Sequence, residues 1–285
     1  MKAELAVVVL AVGEMPELSA AITSLAGQDQ PLEIVVVQSA LPETGRTTPV
    51  AEDVRWVRSA DLLPTGAARN RGVAATEAPW VAFLAGDCRA LPGWARGRLA
   101  AHRAGAPIVA AALVNPHPED LVAWAGYITL HHRRWPGVPT SEALHYGCSY
   151  SREALARVGG FADRLAAGED TELNARLAEE GLVSSWVPSV RATHPYSTRL
   201  PEFLSEQFLR GQRAAMSWRD LGDPERARAV GQAAFARASR AARFAQRHAE
   251  PADRLRVALA TPLVYLGSRS YSRGARDANH ALAAK

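Results

Sequence analysis

The sequence is poor in cysteine. It has two in 285 residues, Cys88 and Cys148, too few for a disulfide framework, so a reducing compartment, by default the cytoplasm, is expected. It also lacks any run approaching the ~18 consecutive apolar residues of a membrane-spanning helix. The early apolar stretch "AVVVLAVGEMPEL" has no small-residue cleavage site in a polar setting and reads as a first strand, not as a signal peptide. Internal repeats and low-complexity linkers are missing too. What remains is an ordinary globular composition, 48% hydrophobic and 22% charged. The length suits one large domain or a domain with a smaller appendage.

Charge is unevenly spread. From Arg210 onward there are fifteen Arg and Lys against six acids, which leaves residues 1–209 mildly acidic. A basic tail suggests an anionic partner, with a membrane surface or nucleic acid as candidates, although an arginine-rich solvated helix face explains the count equally well.

Residues 5–12, "LAVVVLAV", read as a strand buried on both faces. "MPELSAAITSLAGQ" follows as a helix, with Pro16 in its first turn. "LEIVVVQSA" is a second buried strand, so the chain opens as a βαβ unit with parallel strands. "VRWVRSA" is a short strand, and "TGAARNRGVAAT" a helix capped by Thr65. "APWVAFLAGD", "PGWARGRLAAHRAG" and "APIVAAALV" continue the alternation as strand, helix and strand. Residues 116–145 are less regular, and "HHRRWPGVPTSEALHYG" reads as a long loop. "SREALARVGGF" is a helix capped by Ser151, "GEDTELNARLAEEG" another, and beyond Pro201 the pattern is helical, including an Ala/Arg-rich stretch over 224–248. The expectation is an α/β protein with an open, mostly parallel, Rossmann-like sheet flanked by helices. Ligands of such sheets sit at the carboxyl ends of the strands.

Four candidates for chemistry stand out. Asp87, at the tip of a strand, could bind a divalent cation, but alone it is as well explained as a turn residue. Glu169 and Asp170 open a helix, where the dipole stabilises acids; one of them could also act as a general base. His194, in a loop after a strand, could ligate Mn²⁺ or a similar ion. Arg69, on a helix, could contact phosphate or be solvated.

Their order along the chain resembles a family-2 glycosyltransferase of the GT-A fold. "PEL…AITSLAGQDQPLEIVVVQSA" is similar to that family's opening. "GAARNRGVAATEAPWVAFLAGDCRALPGW" resembles the segment leading into its Asp-x-Asp motif, with Asn70 and Gly72 as Asn-x-Gly. "SREALARVGGFADRLAAGEDTELNARLAEEG" resembles the acceptor-side segment, and "THPYSTRLPEFLSEQFLRGQR" the stretch that supplies a His and a Gln-x-x-x-Gly helix. The resemblance covers roughly residues 5–213.

It implies an inverting sugar transfer in which Asp87 and His194 attend a divalent metal, Mn²⁺ or Mg²⁺. Asp170 is then the general base and Glu169 supports the acceptor side. Ala11, Val12, Glu14, Gln38, Arg69, Asn70, Gly86 and Asp87 would hold the nucleotide of a UDP-, GDP- or dTDP-linked sugar. The acceptor would be a saccharide, a lipid-linked or a small molecule, as in cell-wall or polysaccharide synthesis. Domains are expected at 1–200 (catalytic, divided near 115) and 201–285 (helical and basic). No nucleic acid is expected as partner. The basic C-terminal helices suit peripheral contact with the inner membrane face, a homodimer surface or a packed helical cap alike.

The departures from the pattern bear on nucleotide identity more than on chemistry. Ala11-Val12-Gly13-Glu14 replaces Pro-Thr-Tyr-Asn, Gln38 replaces the base-reading acid, and Ala85 the first acid of Asp-x-Asp. They leave a second reading open, a catalytically degenerate homologue serving as scaffold or partner subunit.

Overall fold

The computed structural model describes residues 2–41, 53–165, 168–220 and 222–281. In chain order its elements are β1 (Leu5–Val12), α1 (Leu18–Ala26), β2 (Leu32–Ser39), β3 (Val54–Arg58), α2 (Thr65–Ala74), β4 (Trp80–Ala85), β5 (Arg89–Ala90), α3 (Trp94–Arg103) and β6 (Ile108–Val114). There follow α4 (Leu121–His131), β7 (Ser149–Ser151), α5 (Arg152–Arg157), α6 (Glu169–Glu179), β8 (Ser184–Thr193), α7 (Leu200–Asp220), α8 (Pro224–Gln232), α9 (Ala234–His248) and α10 (Arg254–Ala281). They fall into two compact units: Met1–Val114 with Pro139–His194, and Asn115–Val138 with Pro195–Lys285.

The first unit is built on one open eight-stranded sheet of order β3-β2-β1-β4-β7-β6-β8-β5. Its centre is apolar because the sequence is. Val7, Val8 and Val9 of β1 are fully buried and lie opposite Ile34, Val35 and Val36 of β2, as strands covered on both faces require. The helix α2 lies close on this strand: a Cβ at Gly72 would stand 2.2 Å from Cγ1 of Val8.

The sheet is mixed. β1 pairs in parallel with β2 and β4, as β2 does with β3 and β6 with β8, while β7 and β5 run antiparallel to their neighbours. Two antiparallel steps, β4 to β7 and β7 to β6, restore the direction. The six strands β1, β2, β3, β4, β6 and β8 therefore all end at one rim, and the residues after each of them gather there.

Three local expectations need correcting. The irregular region contains a true helix, α4, capped by Asp120, whose Oδ1 accepts from the Ala123 N–H at 2.8 Å. Its residues Ala123, Trp124, Ala125, Gly126, Tyr127 and Ile128 are all buried, so no amphipathic stripe marks it. Thr65 is the first residue of α2, after Pro64, and not its cap. Pro16 precedes α1, which starts at Leu18. The Ala/Arg-rich stretch is two helices, α8 and α9, that meet at Ala233. Ser151 does cap α5, accepting from the Ala154 N–H at 3.1 Å.

In the second unit α7 and α10 approach closely. A Cβ at Gly211 would lie 2.0 Å from the Tyr271 carbonyl oxygen, and one at Gly274 2.0 Å from that of Phe208. Ala234, Ala238, Ala241, Ala242 and Ala245 make the buried face of α9.

A polar network is buried beneath the sheet of the first unit. Arg98 donates to the Val109 carbonyl (3.0 Å), the Gly147 carbonyl (2.8 Å) and the Ser149 hydroxyl (3.0 Å). His102 places Nδ1 2.7 Å from the Ala106 carbonyl oxygen and Nε2 2.8 Å from the Ser149 hydroxyl. A carbonyl only accepts, so Nδ1 carries the proton and Nε2 receives the hydroxyl hydrogen. Burial, with the Arg98 charge beside it, lowers the His102 pKa to about 4. Between pH 6.5 and 4 the unfolded chain therefore takes up a proton that the folded one refuses, and stability is lost as pH falls through that window, by about 3 kcal/mol at full development. Urea midpoints measured at pH 7, 5.5 and 4 will decline accordingly, and His102→Gln, less stable at pH 7, will lose that part of the slope.

Candidate active site

Two clusters of reactive groups stand in the first unit. One forms at the end of β4. There the Gly86 N–H donates to the Leu10 carbonyl at 2.8 Å, and a Cβ would come within 2.9 Å of the same oxygen. Only glycine lets the chain turn so tightly against β1 before Asp87. After the turn β5 pairs antiparallel with the end of β8, Arg89 opposite Thr193 and Ala90 opposite Ala192. This register brings His194 beside Cys88 and Asp87. Ligand-type atoms of Asp87, Cys88 and His194 all lie within 4.8 Å of one another.

A carboxylate and an imidazole suit Mn²⁺ or a similar cation, with remaining positions open to substrate oxygens. The buried Cys88 thiol, 3.5 Å from Asp87 Oδ1, is a softer group than such an ion prefers. Two of the three residues thus fit a hard or borderline divalent ion.

The second cluster opens α6. Gly168 turns the chain with φ +78°, and Glu169 and Asp170 occupy the first helical turn. Both are held by Arg69 of α2. Its Nη2 is 2.8 Å from Glu169 Oε1, its Nη1 is 2.8 Å from Asp170 Oδ1, and Nη2 donates to Asp170 Oδ2 at 3.2 Å. The guanidinium carbon sits 4.9 Å from the ring centre of Phe83 and 5.0 Å from that of Phe161; the rings themselves meet edge to face, centres 5.1 Å apart, so the planar cation rests against both. Glu169 is buried. Burial pushes its carboxyl above the ordinary value, Arg69 pulls it back in part, and the Asp170 charge adds to the rise.

The neighbouring Asn70 is spent on structure. Its Nδ2 donates to the Phe161 carbonyl (2.8 Å) and to Asp163 Oδ1 (2.7 Å), while its Oδ1 accepts from the Phe161 N–H (3.0 Å). Next to the acids, the Tyr146 hydroxyl lies 2.5 Å from that of Thr171.

The ends of β1 and β2 form the third part of the rim. Ala11 is buried, and Val12 and Glu14 are exposed. The Gly13 N–H donates to the Ser39 carbonyl at 2.7 Å. Gln38 is 1% exposed. Its Nε2 donates to the Gly13 carbonyl at 2.8 Å, and its Oε1 has no hydrogen-bond partner among the described residues. Ala40 holds a left-handed φ of +55°, a conformation that costs a non-glycine residue on the order of 1 kcal/mol.

Of the residues singled out by sequence, Asp87 and His194 come together, as do Arg69, Glu169 and Asp170. Arg69, Asn70 and Gln38 make their hydrogen bonds to protein groups. What the sequence did not show is that Cys88 joins Asp87 and His194, or that Ala40 is strained. Cys88 had a signal, its adjacency to Asp87; the backbone strain at Ala40 had none.

The sequence model described as glycosyl transferase family 2 matches residues 6–159. The pre-mycofactocin glycosyltransferases of two Mycobacterium tuberculosis strains, CDC 1551 / Oshkosh and ATCC 25618 / H37Rv, are each 30% identical to this chain over 210 residues. The match takes in 68% of this chain and 43% of theirs. The chain thus spans less than half the length of the curated relatives it matches. Among solved structures, the mannosyltransferase PcManGT from Pyrobaculum calidifontis, in complex with GDP-Man and Mn²⁺, superposes with a TM-score of 0.58. It does so at 18% identity, over 98% of this chain and 88% of that one, a likeness of fold.

The Arg69 clamp makes its own prediction. Arg69→Met leaves two adjacent acids without their cation, and is expected to cost about 3 kcal/mol at pH 7 in urea unfolding. Glu169, whose folded pKa is already raised, then rises further. The stability it contributes is present at low pH and lost as pH rises through that value, so the deficit shrinks on acidification. Glu169→Gln in the same background is expected to restore part of the loss at pH 7.

Proposed function

The chain belongs to glycosyl transferase family 2, and from that premise we propose that it moves a sugar from a nucleoside-diphosphate sugar to an acceptor hydroxyl with inversion. The observation that carries this reading is the Arg69-held pair Glu169 and Asp170 in the same unit as the Asp87–His194 cluster at the sheet's carboxyl rim. Asp170 is the base. The acceptor oxygen attacks the anomeric carbon as the bond to the diphosphate breaks on the opposite side, and Asp170 takes the hydroxyl proton. Arg69 holds the carboxylate by one hydrogen bond, from Nη2 to Oδ2, and by the charge of Nη1 beside Oδ1.

Glu169 is more buried than its neighbour and shares the same cation, so it supports the acceptor side without taking the proton. Asp87 and His194 would hold a divalent cation, whose chemistry when bound is to neutralise charge on the departing diphosphate. The nucleotide would lie over Ala11, Val12, Glu14, Gln38 and Gly86. With Gln38 turned inward onto Gly13 and Ala85 where an acid is usual, base and ribose would be met by backbone groups of the rim and by Glu14.

Calorimetric titration with UDP-, GDP- and dTDP-sugars plus Mn²⁺, beside an assay of released nucleotide, tests the reading. Asp170→Asn is expected to lower turnover about 10²–10⁴-fold while leaving donor affinity intact. Asp87→Ala is expected to remove the metal-dependent part of donor binding. Failure to bind any nucleotide sugar would sink the proposal and favour a scaffold role.

A further inference from the structure

The helix α10 carries an exposed stripe that the sugar-transfer chemistry does not use. Leu255, Leu259, Pro262, Leu266, Arg269, Arg273 and Arg276 follow one another at steps of four and three residues, and every one of them is exposed. Such spacing puts them on a single helix face, about 32 Å long from first to last. The face is segregated along its axis: apolar in its first half, cationic in its second.

Leu255, Leu259 and Leu266 are 69%, 54% and 42% exposed, which no packing need within the unit explains. At the junction of the two halves a groove of about 620 Å³ opens between α10 and its neighbours. Gly231 is part of its lining, Phe235 and Leu266 give it apolar walls, and Arg269, Arg273 and Arg276 line it with positive charge. Phe235 is 62% exposed and stacks on Tyr265, ring centres 5.0 Å apart. The groove's lining includes no acidic side chain. Among the described residues none of the three arginines has a hydrogen bond or ion pair, whereas the adjacent Asp277 accepts from Gln212 at 2.8 Å.

We propose that this face of α10, with its groove, docks the protein on a bilayer of anionic phospholipid, the leucines and Phe235 entering the acyl boundary and the arginines meeting lipid phosphates. Two complementary chemistries side by side argue for that occupant. Phosphate alone would answer the arginines and leave four large apolar side chains in water. Apolar partners alone would leave three cations unpaired. An anionic membrane surface offers both within one helix length. Nucleic acid would match the charge, but its backbone has nothing for the leucine half. The inference stands independently of the transfer chemistry, since it involves none of the residues proposed for that.

Flotation of the full chain with phosphatidylcholine vesicles tests it, with and without about one-third phosphatidylglycerol, at low and high salt. The chain is expected to float with the anionic vesicles at low salt, to bind pure phosphatidylcholine weakly, and to lose most binding at high salt. Combining Arg269→Gln, Arg273→Gln and Arg276→Gln should lower partitioning on the order of 100-fold. Leu259→Ser with Leu266→Ser should remove the binding that survives high salt. All five positions are exposed, and circular dichroism and thermal melting will verify that each variant folds. A triple Arg→Lys variant should retain binding. No flotation with anionic vesicles, flotation unchanged by the arginine variants, or tighter retention of a single-stranded RNA oligonucleotide than of vesicles would each overturn the proposal.

Discussion

One guanidinium ties the fold of the first unit to its chemistry. Arg69 projects from α2, rests against Phe83 and Phe161, and pairs with both acids that open α6. Each partner needs the others. A cation this buried is costly unless paired; two adjacent acids repel unless a cation stands between them; and burial pushes Glu169 toward its neutral form unless Arg69 offsets it. The two rings cover the guanidinium, so packing helps to orient Asp170. A residue proposed as base is thereby placed by the hydrophobic core.

The other half of the site depends on strand direction. Six strands end on one rim because the antiparallel β7 stands between β4 and β6, and the two-residue β5 brings the turn after β4 to the end of β8. Gln38 shows what a single change at that rim does. An ionised carboxylate there could only accept hydrogen bonds, as does the Gly13 carbonyl that Gln38 now contacts. The amide donates to it, so Gln38 acts as a brace between two strand ends.

How far the sequence disclosed all this follows from the kind of signal each element carries. The strands β1, β2 and β4 are long apolar runs, and Ser151 and the acids of α6 mark their helices by capping and dipole rules. The helix α4 was invisible because its run from Ala123 to Ile128 is wholly buried. β7 and β5, of three and two residues, have no pattern of their own, being strands only because their neighbours pair with them. At the site, Asp87 and His194 were legible through the order of motifs. The tie of Arg69 to Asp170 was not, since it joins residues 101 positions apart, and no local period encodes such a distance.

The basic tail resolves in the same way, once its arginines are taken one by one. An arginine-rich solvated face explains a net charge, but many of these side chains are employed. Arg226 stacks over Trp218 at 3.9 Å, Arg247 over Phe244 at 5.4 Å, and Arg237 over Tyr271 at 5.0 Å while donating to the Val230 carbonyl. Their stems and planes pack the helical unit. Arg269, Arg273 and Arg276 do none of this. They share one face of one helix, line a groove without an acid, and continue an exposed row of leucines. A composition drift toward arginine would scatter such residues among all exposed positions. Cations and apolar side chains sorted into adjoining halves of a single stripe instead form a surface with an outside partner, and the chemistry of that partner is written in the sorting.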